Sequence, residues 1–290
     1  MKFDLKTLEG DAIPHSLLEI PQPPKKLYIA GNLPPEGTVY LAVVGSRKAT
    51  TYGKDVVRKL IHGLRGHPIA IVSGLAVGID YLSHEAALQA GLYAVAFPGS
   101  GISPEVFFPP SSLKLAEKII EEGGCVISEY ESNMKAQYYT FPARNRLVAG
   151  ISKAALIIEA QEKSGTLITA RMALDYNKEV LVVPGSINSE YSKGTNKLIR
   201  QGATPITCSE DILEALGFKI DEESQKNKQQ NLFEDASPQE KIVLKLLVEP
   251  MERDELLREM NMPTAEANAL LSVMEIKELI KEELGEIRLI

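Results

Sequence analysis

Short apolar, β-branched runs alternate with longer amphipathic stretches from about Thr38 onward. This alternation predicts βα units, and the near-continuous hydrophobicity of each run is typical of parallel strands covered on both faces. The sequence therefore predicts a doubly wound α/β domain with a mostly parallel sheet. The predicted strands are Val39–Val44, Ile69–Val72, Tyr93–Phe97, Cys125–Ser128, Ala155–Ile158 and Val180–Val183, and the predicted helices are 53–65, 80–90, 112–122, 143–150, 165–176 and 194–201.

The segments on either side of this alternation set the predicted domain boundaries. Residues 1–36 include a proline-rich stretch, 20–28, which is incompatible with a helix and predicts an extended N-terminal lead. Residues 219–236 are polar and too poor in apolar side chains to fold alone, which predicts a linker. The main domain is accordingly expected at 37–218.

The last part of the chain, 237–290, predicts a small second domain. Ser237-Pro238 is a good helix start, and further helices are expected near Arg253–Met260 and Thr264–Ile280. A strand over Glu286–Ile290 would close the chain. Three helices and a strand in about 50 residues are typical of a winged-helix-like domain.

Few residues of the chain are suited to metal ligation, disulfide bonding or membrane insertion. Two cysteines without CxxC spacing and four scattered histidines support neither a zinc site nor a disulfide framework. No apolar run approaches the roughly 20 residues that span a bilayer, and the N-terminus is polar. We expect a cytoplasmic protein without a metal, a cofactor or a membrane association.

The formal net charge of −7 is unevenly distributed along the chain. Residues 1–216 contain 22 basic and 22 acidic side chains, whereas 217–290 contain 10 and 17. The large domain is therefore neutral, and the acidity belongs to the tail.

One window of the large domain is strongly cationic and aromatic. Between Glu131 and Glu159 there is no acidic residue. A guanidinium offers a planar fork of donors suited to phosphate, and aromatic rings offer flat faces to bases. The pattern indicates a nucleic-acid backbone as the first ligand to consider. The basic residues of the window are Lys135, Arg144, Arg146 and Lys153, and the nearby aromatic residues are Tyr130, Tyr138, Tyr139 and Phe141.

Four glycine-containing segments follow predicted strands or open predicted helices. In a doubly wound sheet, ligands bind at the carboxyl ends of the strands, where glycine lets the backbone approach an anion and helix N-termini present donors. A single glycine after a strand usually marks only a tight turn, so the prediction of a ligand site rests on all four segments taken together. They are Gly45-Ser46-Arg47, Ser73-Gly74 through Asp80, Ser164-Gly165-Thr166 and Gly194-Thr195-Asn196.

Two further acid-free windows bring basic residues to the same predicted edge. Arg47 and Lys48 lie in the first, Gly37–Lys54, so Arg47 has no carboxylate nearby in the chain and phosphate contact is favoured. The second, Tyr191–Ser209, contains Lys193, together with two basic residues that suit a solvated helix face. Basic segments converging on one groove would concentrate positive potential there.

Motifs of the common catalytic and nucleotide sites are missing. Asp80 stands at the start of a predicted helix, which favours a capping role over a general base, and His84 is expected to be a packed helix residue. There is no Gly-x-Ser-x-Gly elbow, and no histidine follows His84, so serine hydrolysis is unsupported. Gly74-x-x-x-Gly78 matches neither a Walker A loop nor a dinucleotide fingerprint.

With these residues in view, the chain closely resembles the DNA-processing A (DprA/Smf) family. The matching motifs occur in family order from about Ile13 to Phe218. They include 23–31, Val44-Gly45-Ser46-Arg47, Ser73 to Asp80 with His84, 99–102, 128–130, Phe141-Pro142-Ala143-Arg144-Asn145-Arg146, Glu159-Ala160 with Ser164-Gly165-Thr166, Pro184-Gly185, and Gly194 to Ile199 with Gly202-Ala203.

The resemblance implies a Rossmann-like domain that binds single-stranded DNA, forms a homodimer and catalyses no reaction. It further implies that the protein protects incoming DNA and helps to load the RecA recombinase during natural transformation. It places Arg47 and the Phe141–Arg146 segment in the DNA pocket, with an upstream lysine for which Lys135 is the candidate. The full predicted DNA-binding set is Gly45, Ser46, Arg47, Ser73, Gly74, Lys135, Phe141, Arg144, Asn145, Arg146, Ser164, Gly165, Thr166, Lys193 and Asn196.

The acidic tail predicts a different role from that of the main domain. The family often ends in a winged helix, but the longest predicted helix here, 264–280, offers only Lys277 against three glutamates. Phosphate contacts dominate DNA affinity, so this helix is a poor groove reader. A protein-contact or regulatory role is expected.

The alternative hypothesis is a nucleotide-processing enzyme similar to the phosphoribohydrolases on a related Rossmann-like fold. Those enzymes carry a Pro-Gly-Gly-x-Gly-Thr-x-x-Glu segment whose glutamate supports catalysis. Here the equivalent stretch ends in Ser164-Gly165-Thr166-Leu167-Ile168-Thr169, with Thr169 in place of the glutamate. The enzyme hypothesis thus lacks its key carboxylate.

Overall fold

The computed structural model describes residues 3–219, 237–247, 250–277, 279–283 and 285–289. The chain divides into two compact units, Met1–Lys219 and Ile220–Ile290. Each unit has its own hydrophobic core.

A nine-stranded sheet forms the centre of the larger unit. Its order is β1-β2-β6-β5-β4-β3-β7-β8-β9. The seven strands from β6 to β9 in this order are parallel, whereas β1 and β2 pair antiparallel at one edge. The strands are β1 Leu5–Glu9, β2 Lys26–Gly31, β3 Val39–Val44, β4 Ile69–Ser73, β5 Tyr93–Ala96, β6 Cys125–Ser128, β7 Ala154–Ile157, β8 Glu179–Val182 and β9 Thr204–Pro205.

The order of the parallel strands reverses between β3 and β7. From β3 the chain continues through β4, β5 and β6 on one side, and then returns to place β7 on the other side of β3. Loops after β3 and β7 therefore diverge and leave a crevice, which is where doubly wound sheets bind their ligands. The predicted doubly wound, mostly parallel α/β fold is confirmed.

Eight helices lie within the described residues of the larger unit. They are α1 His15–Leu18, α2 Thr51–His62, α3 Ile79–Gln89, α4 Leu113–Glu121, α5 Thr140–Ile151, α6 Thr166–Asp175, α7 Lys193–Arg200 and α8 Ser209–Ala215. The six helices and six strands predicted for this domain are all present, with ends that differ by three residues or fewer. Strands β3 and β6 have the predicted bounds.

Helix α2 illustrates how the local sequence sets these elements. The Thr50 side chain caps it by accepting a hydrogen bond from the Gly53 backbone N–H at 3.1 Å. Val57, Leu60 and Ile61 then recur at helical spacing and are buried. This apolar stripe packs the helix into the interior of the larger unit. It thereby fixes the start of α2 directly after the loop that follows β3.

The N-terminal lead, expected to be simply extended, extends the sheet. Leu5–Glu9 pairs antiparallel with Lys26–Gly31, which in turn pairs antiparallel with β6. Between them, Leu17 of α1 is fully buried, and Ile20 is buried in the same core. The lead is thus integrated into the larger unit, because its apolar side chains complete that core.

The smaller unit contains three helices and a three-stranded antiparallel sheet of order β10-β12-β11 in its described residues. Helix α9 begins at the predicted start with a capping box, in which Ser237 and Glu240 each bond the other's backbone N–H. The elements are α9 Pro238–Leu246, β10 Met251–Glu252, α10 Arg253–Glu259, α11 Thr264–Ile276, β11 Ile280–Glu283 and β12 Glu286–Leu289.

Two details of the tail differ from the sequence prediction. The helix expected to reach Ile280 ends at Ile276, and Ile280 instead begins β11, which pairs with β12 across Gly285. Gly285 has a φ of 86°, the left-handed conformation that such a tight connection needs. The predicted last strand is present as Glu286–Leu289, and Ile290 lies outside the described residues.

Candidate nucleic-acid interface

A cleft of about 500 Å³ opens at the switch point of the sheet. Most of its lining residues come from three places: the loop after β3, the first turns of α5, and the loop between β7 and α6 with the start of α6. This arrangement is consistent with the prediction that these segments meet at one edge of the sheet.

Arg47 supplies an exposed cation to this cleft. Its guanidinium carbon lies 5.5 Å from the centre of the Phe141 ring, a cation–π distance. Among the described residues, the ion pairs within 4 Å do not include Arg47. The Arg47 charge is therefore available to an anion that enters the cleft.

The loop that carries Arg47 is held at both ends. The Ser46 hydroxyl oxygen accepts a hydrogen bond from the Lys48 backbone N–H at 3.0 Å, which tightens the turn around Arg47. The buried carboxylate of Glu159, just after β7, accepts from the Thr50 backbone N–H at 3.1 Å and from the Thr50 hydroxyl. Glu159 thus ties the start of α2 to the neighbouring strand, and this limits the freedom of the Arg47 loop.

Phe141 is half-buried, and its ring is held in place by two neighbouring residues. A Cβ atom at Gly99 would lie 2.6 Å from the Phe141 ring, so the ring requires glycine beneath it. Phe108 packs at 5.6 Å between ring centres, tilted by 59°. These contacts fix the orientation of the Phe141 ring beside Arg47.

The start of α6 forms another part of the cleft wall. Ser164, Gly165 and Thr166 all line the cleft. The Thr166 hydroxyl donates to the Gly45 carbonyl oxygen at 3.0 Å and so joins this helix start to the loop after β3. The positive end of the α6 helix dipole consequently lies at the same cleft as Arg47.

Arg144 borders the cleft but differs from the prediction of a phosphate ligand. The residue is only 5% exposed. Its guanidinium donates to the Gly74 carbonyl oxygen at 2.6 Å and to the Phe97 carbonyl oxygen. A Cβ atom at Gly74 would lie 2.5 Å from the guanidinium carbon, so Gly74 leaves the space that this side chain fills. Arg144 therefore clamps α5 to the ends of β4 and β5.

The Arg144 guanidinium shares its buried surroundings with two titratable groups. Burial lowers the pKa of Arg144 to about 10, and the nearby Asp80 carboxyl opposes that shift. Burial raises the pKa of Asp80, and Arg144 opposes this in turn. His84 is fully buried, which lowers its pKa to about 3, so its imidazole is neutral at physiological pH.

Asp80 supports the loop after β4 instead of capping α3. The N-cap residue of α3 is Gly78, and Asp80 lies inside the first turn. Its carboxylate accepts a hydrogen bond from the Gly74 backbone N–H at 3.2 Å. The prediction of a cap was wrong, because the carboxylate reaches across the loop to a residue outside the helix.

Arg146 also has a structural partner. One of its terminal nitrogens lies 2.6 Å from each oxygen of the Glu129 carboxylate, and the Arg146 side chain is 11% exposed. Arg146 does not line the cleft. The predicted role of Arg146 as a DNA ligand is not supported by this position, since its charge is already paired.

The other predicted residues outside the cleft have separate surroundings. Ser73 is buried and donates to the Val43 carbonyl oxygen at 2.6 Å, and the Asn196 side chain bonds the Gly185 backbone at 2.9 and 3.2 Å. Lys193 pairs with Glu190. Lys135 is exposed on the loop before α5 but does not line the cleft.

The predicted set thus separates into two groups. Residues that line the cleft are Gly45, Ser46, Arg47, Phe141, Arg144, Asn145, Ser164, Gly165 and Thr166. Residues that do not are Ser73, Gly74, Lys135, Arg146, Lys193 and Asn196.

Several further residues line the cleft without having been predicted in the set. They include Lys48, Tyr138, Gln161, Thr169 and Tyr191. Lys48 and Tyr138 belong to the basic and aromatic windows of the sequence, so composition alone pointed to them. Tyr191 lies between β8 and α7 and is the first residue of the second acid-free window.

Comparison with known proteins agrees with the motifs. Residues 4–217 match the model of the family described as DNA recombination-mediator protein A. The chain belongs to this family. Residues 226–285 match the DprA winged helix domain, which confirms the predicted type of the second domain.

Two relatives in the DprA family illustrate the extent of the match. Protein Smf of Escherichia coli is 39% identical over 212 residues, which are 73% of this chain and 56% of the relative. The DNA processing protein DprA of Streptococcus pneumoniae is 38% identical over 217 residues, or 75% of this chain and 76% of the relative. The matched region thus spans just over half the length of the Escherichia coli protein.

Solved structures of DprA proteins share the fold. The X-ray structure of the Streptococcus pneumoniae protein matches with a TM-score of 0.68 and 37% identity, and covers 76% of each chain. The Helicobacter pylori DNA processing protein A, solved in a study of its single-stranded DNA binding mode, gives a TM-score of 0.65 and 32% identity. That match covers 74% of this chain and 98% of the Helicobacter pylori chain.

Two other kinds of site are absent from the described part of the chain. None of its helices combines the length and apolar character required to cross a bilayer. No cluster of three or more histidine, cysteine, aspartate or glutamate side chains suited to a metal ion occurs in it.

Proposed function

We propose that the switch-point cleft binds single-stranded DNA, with Arg47 on a backbone phosphate and Phe141 against a base. The observation that carries this proposal is the pair itself: an exposed guanidinium without an ion-pair partner among the described residues, 5.5 Å from an anchored aromatic ring in one cleft. A cation next to a stacking surface matches the alternation of phosphate and base along a single strand.

The surroundings of this pair favour an anionic ligand. The start of α6 brings the positive end of a helix dipole to the same cleft, and Lys48 adds a second exposed cation. The one acidic residue among the described lining residues is Asp80, which is buried and lies near the Arg144 charge. A phosphate in the cleft would therefore meet cations and N–H dipoles with little opposing charge.

Family membership supports the single strand as the ligand. The Helicobacter pylori DNA processing protein A, which shares this fold at 32% identity, binds single-stranded DNA. By the same resemblance, we propose that this protein forms a homodimer, protects incoming DNA and helps to load RecA during natural transformation.

We further propose that the larger unit binds DNA without chemical catalysis. In the phosphoribohydrolase alternative, a glutamate is needed where this chain has Thr169, and Thr169 lines the cleft. Asp80, the acidic residue that remains, is buried and bonded to the Gly74 backbone. Incubation with nucleoside monophosphates tests this point: release of free base would favour the enzyme.

For the smaller unit we propose a protein-contact role. On the described part of α11, Glu266 and Glu275 are the charged residues, and Lys277, directly after the helix, pairs with Glu240 at 2.7 Å. A winged helix that reads DNA presents cations from this position to phosphates. Here the corresponding helix carries acidic groups instead.

The binding proposal is tested by fluorescence anisotropy with a labelled single-stranded oligonucleotide. We expect Arg47→Ala to weaken binding, while Arg58→Ala leaves it unchanged, because Arg58 is an exposed arginine on α2 that does not line the cleft. Equal affinity of the parent and Arg47→Ala would remove Arg47 from the binding site. Absence of binding by the parent would refute the proposed function.

A further inference from the structure

Tyr138 is an aromatic residue at the cleft whose ring is almost completely exposed. It is 92% exposed, yet it lines the same cleft as Arg47 and Phe141. A tyrosine ring gains stability mainly by burying its apolar faces, and this ring buries almost nothing within the chain. Its faces are therefore free for a ligand.

The backbone beneath Tyr138 is well fixed. The Gln137 N–H donates to the Thr140 hydroxyl oxygen at 3.1 Å, and the Thr140 N–H donates to the Gln137 carbonyl oxygen at 3.0 Å. The buried Thr140 hydroxyl in turn donates to the Gly99 carbonyl oxygen. Tyr138 thus lies on a closed turn that is bonded to the same Gly99 on which the Phe141 ring rests.

The neighbouring tyrosine offers a natural contrast. Tyr139 is 62% exposed but does not line the cleft. The two residues have the same chemistry and are adjacent in the chain, so only their placement differs. Any effect specific to Tyr138 can therefore be assigned to the cleft.

We propose that Tyr138 is a second base-stacking platform, which accepts a base of the strand next to the base held by Phe141. This inference rests on the proposed function. Tyr138 and Phe141 are three positions apart in the sequence, and both residues line one cleft with Arg47. Stacking on a neutral ring is tolerant of base identity and adds affinity without displacing counterions. Tyr138 would thus increase the length of strand that is held, without increasing the salt dependence of binding.

The direct test uses tryptophan fluorescence, because the chain contains no tryptophan. Tyr138→Trp and Tyr139→Trp each introduce a single reporter. We expect single-stranded DNA to quench the emission of Tyr138→Trp strongly, since a stacked base contacts the indole, and to leave Tyr139→Trp nearly unchanged. Equal quenching of the two variants, or no quenching of Tyr138→Trp under saturating DNA, would overturn the inference.

Affinity gives a second readout. Tyr138→Ala should weaken binding about tenfold, within the range of one lost stacking contact, while Tyr138→Phe retains the parental affinity. The slope of log affinity against log salt should stay the same in Tyr138→Ala. Parental affinity in Tyr138→Ala would contradict the inference, as would a flattened slope.

These outcomes also separate this inference from the proposed function. If Arg47→Ala weakens binding and Tyr138→Ala does not, the cleft binds DNA and only the stacking role of Tyr138 is wrong. If the parent itself does not bind single-stranded DNA, the proposed function fails first.

Discussion

Replacing Arg144 with alanine removes a guanidinium that connects three segments of the larger unit. The side chain extends from α5 and donates to backbone carbonyl oxygens of Gly74 and Phe97. It also lies near the buried Asp80 carboxyl, whose pKa it lowers against the effect of burial. In Arg144→Ala, the two carbonyl oxygens lose this donor, and the Asp80 carboxylate loses the nearby positive charge while keeping its hydrogen bond from the Gly74 N–H.

The size of the effect follows from these contacts. A hydrogen bond to a charged group contributes about 1.5–3 kcal/mol, and leaving a buried partner without its counter-charge costs roughly 3–5 kcal/mol. We therefore expect the free energy of unfolding to fall by about 3–5 kcal/mol. For a unit of this size, that loss corresponds to a decrease in melting temperature of about 10 °C.

Thermal unfolding of the full chain, followed by circular dichroism, measures this decrease. Arg171→Ala is the matched control, because Arg171 is an arginine whose side chain is 78% exposed and pairs with Asp175 on the surface. A surface ion pair contributes about 0–1 kcal/mol, so the control should melt close to the parent. Arg144→Lys should lie between the parent and Arg144→Ala, because lysine keeps the charge but lacks the planar fork of donors.

DNA binding decides between the structural role of Arg144 and a direct phosphate contact. Because the guanidinium is buried and bonded to carbonyl oxygens, we expect folded Arg144→Ala to retain the parental slope of log affinity against log salt. An unchanged melting temperature together with a slope flattened by about 0.7 would show that Arg144 binds phosphate, and that the clamp described above is wrong.

Three other predictions concern Phe141, His84 and the tail. Phe141→Ala should weaken single-stranded DNA binding about tenfold in a titration, whereas the salt slope stays parental. The pKa of His84 is about 3 in the folded chain against 6.5 ordinarily, so the unfolded chain takes up a proton first as pH falls. The free energy of unfolding therefore decreases as the pH falls from 6.5 toward 3, by up to about 1.4 kcal/mol per pH unit. In denaturant unfolding, His84→Gln should show a shallower dependence of this free energy on pH than the parent. A chain that ends at Lys219 should keep the parental affinity for single-stranded DNA. It should also bind duplex DNA no more weakly than the full chain does, and a gel-shift comparison of the two proteins tests both points.

The regular part of the fold could be predicted because burial on both faces leaves a strong pattern. Val39–Val44 is an uninterrupted apolar run and Cys125–Ser128 is apolar up to its last residue, and the structure has strands with those bounds. Lys26–Gly31 and Leu5–Glu9 mix polar and apolar residues, since they form an antiparallel edge. Their pairing depends on contacts across the sheet, for which a local window of sequence carries little signal.

The roles of the arginines were harder to predict from the sequence. Arg47 lies in an acid-free window and lacks an ion-pair partner within 4 Å in the described part of the chain, as expected. Arg146 lies in a similar window but pairs with Glu129, 17 positions earlier. Arg144 bonds to carbonyl oxygens contributed by distant strand ends, which no charge pattern can reveal. Local charge composition therefore pointed to the segments of the cleft. It did not show which of their arginine side chains has no hydrogen-bond or ion-pair partner among the described residues.

The position of the upstream lysine shows the same limitation. Lys135 was the predicted cation before Phe141, but the residue that lines the cleft from this segment is Tyr138. The turn closed by Thr140 determines which side chain of the loop reaches the cleft. That choice depends on one hydrogen-bonded turn, not on residue type.

The central claim is that the exposed charge of Arg47 binds a backbone phosphate of single-stranded DNA. The most direct measurement is the affinity of the parent, Arg47→Ala and Arg58→Ala for one oligonucleotide across a salt series. We expect the slope of log affinity against log salt to flatten by about 0.7 in Arg47→Ala, the value for one phosphate contact on a single strand, and to remain parental in Arg58→Ala. Parental affinity and slope in Arg47→Ala would contradict the account.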